Sequence, residues 1–180
     1  VDPEAYLAFE RTSSQKHELW DGEVYAMAGG SLAHNWIVAN LIQHLGAALA
    51  GTNCKALPSD MRVRIPGGAR YVYPDVSIVC GRPQLEGPDV LLNPRTIIEV
   101  LSSTTEAFDR GQKSAGYRTI SSVDEIVFVS QHERNVECLT RQPDGSWNLR
   151  DYRGEAAVPL QVLSTPLLLQ HIYDGVELEG

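Results

Sequence analysis

Cysteine is scarce in this chain: three residues in 180, Cys54, Cys80 and Cys138, odd in number and without C-x-x-C spacing. That pattern argues against a disulfide framework and a zinc knuckle, and two of the three lie in or beside strand-like runs, so all are read as buried thiols in a reducing cytoplasm. Long apolar runs are missing as well. No segment reaches bilayer-spanning length, and the opening VDPEAYLAFE has neither a basic n-region nor an apolar h-region, so a soluble, cytoplasmic protein is expected. There is no Gly-rich phosphate loop, no C-x-x-C-H and no paired Cys/His spacing, which leaves nothing to support a nucleotide, haem or zinc. Basic residues are in deficit, 15 Lys and Arg against 23 Asp and Glu, for a net charge of −8. Such a balance opposes non-specific adsorption to a polyanion.

What is present supports a core. With 43% hydrophobic residues, a chain of this length buries roughly 70% of its unfolded surface. No repeat, low-complexity linker or composition break appears, so one domain over 1–180 is expected. The charge is unevenly spread: 55–70 hold Lys55, Arg62, Arg64 and Arg70 against Asp60 alone, whereas 154–180 contain Glu155, Asp174, Glu177 and Glu179 and no Lys or Arg. Arg62 and Arg64 alternate with Val63 and Ile65, placing both guanidinium groups on one face, either toward phosphates or on the wet side of a hairpin.

Local patterns give the elements. Pro3 starts a short helix, HELWDGEVYAMA reads as a hairpin turning at Asp21-Gly22, and Ser31 caps a helix reaching about Ala50-Gly51, with Leu32, Ile37, Val38, Leu41, Ile42 and Leu45 at helical spacing. Strands are expected around 53–57, 60–65 and 71–79, with Pro66-Gly67-Gly68 turning between the last two, and then at 95–101 after a Gly- and Pro-rich excursion. Residues 106–120 read as a helix weakened by Gly111 and Gly116. EIVFVS, NVECLTRQ and SWNLRDY follow as strands, and PLLLQHIYDG is amphipathic enough to cover an open sheet edge.

The chemistry is concentrated in YPDVSIV at 73–79, RTIIEVLSS at 95–103 and DRGQK at 109–113. Asp75 and Glu99 stand in runs of β-branched residues, where charge is costly unless a partner or ion offsets it. Two carboxylates and the nearby Lys113 suit a phosphodiesterase using a hard divalent cation, with Asp75 and Glu99 as metal ligands and Lys113 orienting water or stabilising charge. Asp109 can hold Lys113 as an i,i+4 pair. Side-chain alternation puts Asp75 on a face with Ser77 and Val79, and Glu99 on one with Ile97 and Leu101.

In the order and spacing of HELWDGE, the helix bearing His34, YPDVSIV, IIEVLSSTTEAFDRGQKSAGY and EIVFVS, the chain resembles the Uma-two family, a branch of the PD-(D/E)XK, restriction-endonuclease-like superfamily. The resemblance covers nearly the whole length. It implies an α/β fold, a mixed, bent β-sheet flanked by helices, and a metal-dependent endonuclease acting on DNA with Mg2+ or Mn2+. Residue by residue it makes Asp75 and Glu99 metal ligands, with Glu18 or Glu23 a further acid. Leu101 stands where the superfamily pattern has lysine, so Lys113 takes the role of a displaced catalytic lysine.

Blander readings stand beside these. His34 lies on the stripe of Ile37, Val38 and Leu41, so a satisfied core histidine competes with a proton shuttle. Glu18 or Glu23 could be an exposed edge charge. A nuclease-like binding or regulatory protein and a metal-dependent hydrolase of a small phosphorylated molecule are the alternative functions. A homodimer is the default expectation, with the tail or the 92–101 stretch as its surface.

Overall fold

Turn chemistry and strand alternation account for most of the architecture in the computed structural model, which describes residues 1–178; Glu179, counted above among the tail acids, lies outside the described residues. Asp2 caps α1 (Pro3–Glu10) by accepting from the Ala5 N–H. The Asp21-Gly22 pair takes positive φ at both positions, 48° and 94°, and joins β1 (His17–Trp20) to β2 (Glu23–Ala26). Ser31 caps α2 (Leu32–Ala48), which buries Ala33, Ile37, Leu41 and Leu45.

Then come β3 (Cys54–Pro58), β4 (Arg62–Ile65), β5 (Arg70–Val72), β6 (Val76–Cys80), β7 (Leu85–Glu86), β8 (Val90–Leu91) and β9 (Thr96–Leu101). The short helices α3 (Glu106–Phe108) and α4 (Ser114–Tyr117) flank a π-helical turn over Asp109–Lys113. β10 (Glu125–Ser130), β11 (Asn135–Arg141), β12 (Trp147–Arg153), β13 (Ala157–Val158), β14 (Leu167–Leu168) and α5 (Leu169–Ile172) complete the chain.

The expected mixed α/β fold is present, with its strands divided between two six-stranded sheets and a small third one. The first sheet runs β2-β1-β5-β4-β8-β7, the second β12-β11-β10-β9-β6-β3, and β13 pairs β14. In the second sheet β9 is parallel to β10 and antiparallel to β6, and all six of its residues are buried. A near-continuous apolar run is what a strand covered on both faces requires, and in β9 Glu99 is the one charge that interrupts it. Within the 92–101 stretch, residues 96–101 are therefore buried central sheet.

Alternation sorts these strands into two cores. Val76, Ile78, Ile98, Val100, Val127 and Val129 face α2 and α5, while Val79, Ile97, Leu101, Ile126 and Phe128 face the first sheet's Trp20, Val63, Ile65 and Val72 together with Tyr117. A third cluster, Tyr6, Leu7, Leu19, Tyr71 and Val90, packs α1 on the outer face of the first sheet. The tail packs beside α2, with Leu167, Leu169, Ile172 and Tyr173 buried in the same core, so it covers a sheet face and not the expected edge.

Three further expectations are corrected. The run 71–79 is two strands in different sheets, because Pro74 supplies no N–H to continue a ladder. The 106–120 helix is interrupted by the π-helical turn around Gly111. Cys54 and Cys80 are joined by a disulfide, leaving Cys138 as the free, buried thiol. The register explains the bond: Cys54 lies directly opposite Cys80 where edge strand β3 pairs with β6, a juxtaposition that sequence spacing does not reveal. No helix among the described residues is long and apolar enough to cross a membrane.

Candidate functional site

The chain passes from the first sheet to the second at Tyr73-Pro74-Asp75, and the site forms at that crossing. Val76 pairs with Ile98, so Asp75 stands one step beyond this pair, across from Glu99. The Asp75 N–H donates to Glu99 Oε2 at 3.4 Å, and the Val100 N–H donates to Asp75 Oδ2 at 2.7 Å. Glu99, on the face of Ile97 and Leu101 as alternation requires, points into the space between the sheets and is only 3% exposed.

Lys113 enters from the other side. Its Nζ lies 2.9 Å from Glu18 Oε1, 3.5 Å from Glu99 Oε1 and 3.4 Å from Asp109 Oδ1. The π-helical turn makes this possible: the Ser114 N–H reaches back five residues to the Asp109 carbonyl, and the widened turn buries Asp109 and Lys113 together. Beyond it, Gly116 lets α4 approach the first sheet, since a Cβ there would meet Ile65 at 3.1 Å and Trp20 at 3.2 Å. The close approach seats Tyr117, whose hydroxyl donates to Glu99 Oε1 at 2.6 Å. Glu18 also accepts from the Tyr73 N–H at 2.9 Å, tying the first hairpin to the crossing segment.

The electrostatics follow from the count: four carboxylates, Glu18, Asp75, Glu99 and Asp109, stand around one ammonium. Burial raises the Glu99 pKa well above the usual carboxylate range; Lys113 pulls it down, and Asp109 and Asp75 push it further up. Burial works against charge on Lys113, but Glu99, Glu18 and Asp109 outweigh it and hold the ammonium protonated well beyond the lysine range. Tyr117 is likewise raised, by burial first and then by Glu99 and Glu18, so its phenol is a firm donor.

These groups lie in a cleft of about 540 Å3 bounded by the β1–β2 hairpin, the 26–31 loop, the start of α2 and the 102–113 segment. His34 Nε2 contacts Asp75 Oδ1 at 3.1 Å and lines the cleft, so the core stripe of α2 runs through Ala33 and Ile37 beside it. Of the expected site residues, Asp75, Glu99, Lys113, Glu18 and His34 converge. Glu23 does not: it is exposed on β2 and accepts from the Tyr25 hydroxyl at 3.1 Å. The register puts both acids on one face of the hairpin, Glu18 opposite Tyr25 and Glu23 opposite Trp20; what separates them is that Glu18 lies on β1, flanked by β2 and β5, whereas Glu23 lies on the edge strand beside the turn.

Arg62 and Arg64 do share a face, but Arg62 is buried against Asp89 and Arg64 pairs with Glu86. Neither lines the cleft. Leu101, where a superfamily lysine would stand, is 2% exposed and packed in apolar surroundings. Tyr117 is the residue missed by sequence reasoning. Its signal was its position four residues after Lys113, which a helix places on nearly the same side.

The donor set suits a hard cation in one respect, two carboxylate oxygens presented by adjacent strands within an acid excess. Among the described residues no group of three or more His, Cys, Asp or Glu is placed to hold a metal ion. Magnesium commonly takes one or two carboxylates and completes its shell with water and substrate phosphate, which is the share Asp75 and Glu99 can supply.

Comparison with known proteins identifies the family and the fold. The Uma2 family model, described as "Putative restriction endonuclease", matches residues 3–170. Two uncharacterized proteins of Synechocystis sp. are similar. One, slr1290, is 31% identical over 176 residues, spanning 98% of this chain and 93% of the relative. The other, sll1609, is 33% identical over 154 residues, spanning 84% and 87%. The crystal structure of a "putative nuclease belonging to DUF820" from Anabaena variabilis shares the fold with a TM-score of 0.79 at 14% identity, over 98% of this chain and 99% of that one. The chain belongs to the Uma2 family.

Proposed function

We propose that this protein is a metal-dependent endonuclease that hydrolyses DNA phosphodiesters, with Asp75 and Glu99 as the ligands of Mg2+ or Mn2+. The observation that carries the reading is the convergence of Glu18, Asp75, Glu99 and Lys113 from four separate segments at the floor of one cleft. An excess of buried carboxylates is costly by itself, and Glu99 relieves it by favouring its proton. A divalent cation in the same place relieves it too, and when bound would polarise a phosphate oxygen and acidify a water.

The protein's own groups have separable tasks. Lys113 keeps its charge and faces the carboxylates, where it can stabilise negative charge developing on a phosphate. Glu18 and Asp109 position that ammonium. Tyr117 fixes the rotamer of Glu99, and His34 and the Val100 N–H fix Asp75. Tyr25, 51% exposed at the cleft wall, offers a ring on which an unpaired base could stack.

The test is cleavage of supercoiled plasmid with Mg2+ or Mn2+, run beside manganese titration followed by electron paramagnetic resonance. Asp75→Asn and Glu99→Gln should each lose about a hundredfold or more in cleavage and weaken manganese binding, with circular dichroism unchanged. Cleavage equal to that of the parent would refute the assignment. A second reading, a metal-dependent hydrolase of a small phosphorylated molecule, is favoured by the net charge of −8. It predicts no salt-sensitive DNA affinity, whereas the nuclease should lose DNA affinity steeply with salt.

A further inference from the structure

The EIVFVS strand contributes nothing to the cleft, yet its first residue is the least expected group in the molecule. Glu125 is 1% exposed, and its Oε1 has no hydrogen-bond partner, while Oε2 accepts from the Gln161 N–H at 2.9 Å. Buried polar atoms are nearly always partnered, so an orphaned carboxyl oxygen calls for a partner that the fold itself does not supply. Alternation explains its direction: Glu125 shares a face with Val127 and Val129, the α2 side of the second sheet, whereas Glu99 is on the opposite face.

The surroundings are a second cavity, of about 670 Å3, lined by Glu125 together with Thr140, Asn148, Arg150, Tyr152 and Gln161. The register forms part of its wall as a cross-strand row, Glu125 opposite Thr140 and Thr140 opposite Asn148, with Arg150 two residues further along β12 on the same face. Most other charges here are committed. Asp124 is held by Arg95 at 2.9 Å, and Arg141 donates to the carbonyls of Val123, Arg118 and Ile120 at 2.8, 3.1 and 2.9 Å.

Arg150 and Glu125 are the exceptions. Among the described residues neither makes an ion pair, and although they line one cavity they do not pair with each other. Two opposite, uncommitted charges on one wall match a ligand that carries both charges. We propose that this cavity binds a small zwitterion, its ammonium or guanidinium on Glu125 and its carboxylate on Arg150, with Thr140 and Asn148 between. Burial lifts the Glu125 carboxyl to about 7, opposed by the Gln161 N–H, so an approaching cation needs to displace at most a loosely held proton near neutrality. The cavity volume lies in the range of small-molecule sites.

Isothermal titration of the whole chain with 6-aminohexanoate, L-lysine and L-arginine tests this, with adipate and cadaverine as probes of one sign. At least one zwitterion should bind saturably with a Kd of about 1 mM or tighter. Glu125→Gln, which keeps an acceptor for Gln161, and Arg150→Ala, on an exposed side chain, should each weaken it about tenfold or more. The proposal is overturned by absence of saturable binding to all three zwitterions. It is equally overturned if adipate or cadaverine binds as tightly, or if either variant binds like the parent. No cleft residue takes part, so the outcome is independent of the nuclease reading.

Discussion

Replacing Lys113 with methionine removes one ammonium and retains most of its apolar stem. In the folded protein Lys113 is 5% exposed and its ammonium sits 2.9 Å from Glu18, 3.5 Å from Glu99 and 3.4 Å from Asp109. At an effective dielectric of about 20, each such contact is worth roughly 5 kcal/mol of gross attraction, much of it offset by desolvating the ions. Losing the common partner leaves three buried carboxylates without a countercharge, and a net destabilisation of about 3–5 kcal/mol is expected.

The cost should depend on pH in a definite direction. Glu99 already has a raised pKa in the folded chain, so its contribution favours folding at low pH and is lost as pH rises through that value. Lys113 pulls the Glu99 pKa down, so removing it raises the value further and extends the loss. Urea unfolding of Lys113→Met beside the parent should therefore show a larger deficit near pH 8 than near pH 5. A deficit under about 1 kcal/mol, or one equal at both pH values, would mean the cluster is solvated in solution and the buried-site reasoning is wrong.

Two further outcomes follow from the same physics. The Glu125 pKa, raised from 4.5 to about 7 by burial, favours folding below about pH 4.5 and loses that contribution as pH rises through 7. Between about pH 5 and pH 8 this amounts to about 2.5 kcal/mol. Glu125→Gln should gain that much on the parent over the interval in denaturant titrations, and parallel pH profiles would contradict it. The Cys54–Cys80 disulfide closes a loop with a sequence separation of 26, for which the chain-entropy relation gives about 3.5 kcal/mol. The double variant Cys54→Ser/Cys80→Ser should unfold at correspondingly lower urea than the oxidised parent, and identical midpoints would show that the bond does not form in solution.

Legibility differed sharply between elements. The hairpin at Asp21-Gly22 and the Ser31-capped helix were readable because their signals are local: a two-residue turn with both φ positive, and a side-chain oxygen accepting the His34 N–H. The interruption at 109–113 was less so, because a π-helical turn arises from packing and Gly111 alone does not specify it. The disulfide was missed for a related reason. Twenty-six positions separate its cysteines, and only the β3–β6 register brings them face to face.

By itself the sequence determined the first hairpin, the Ser31-capped helix, the central strands β9 and β10, the family and the face that Glu99 shares with Ile97 and Leu101, since these follow from periodicity and from ordered motifs along the chain. Tertiary structure decided what those residues meet. The passage of the chain between sheets at Pro74 set Asp75 beside Glu99, the widened turn aimed Lys113 at Glu18 in preference to solvent, and Glu18, not Glu23, became the third acid. It also left Glu125 and Arg150 along one wall without joining them. Side-chain direction along an element is a local property of the backbone, whereas distances between elements are fixed only when sheets, turns and helices pack simultaneously.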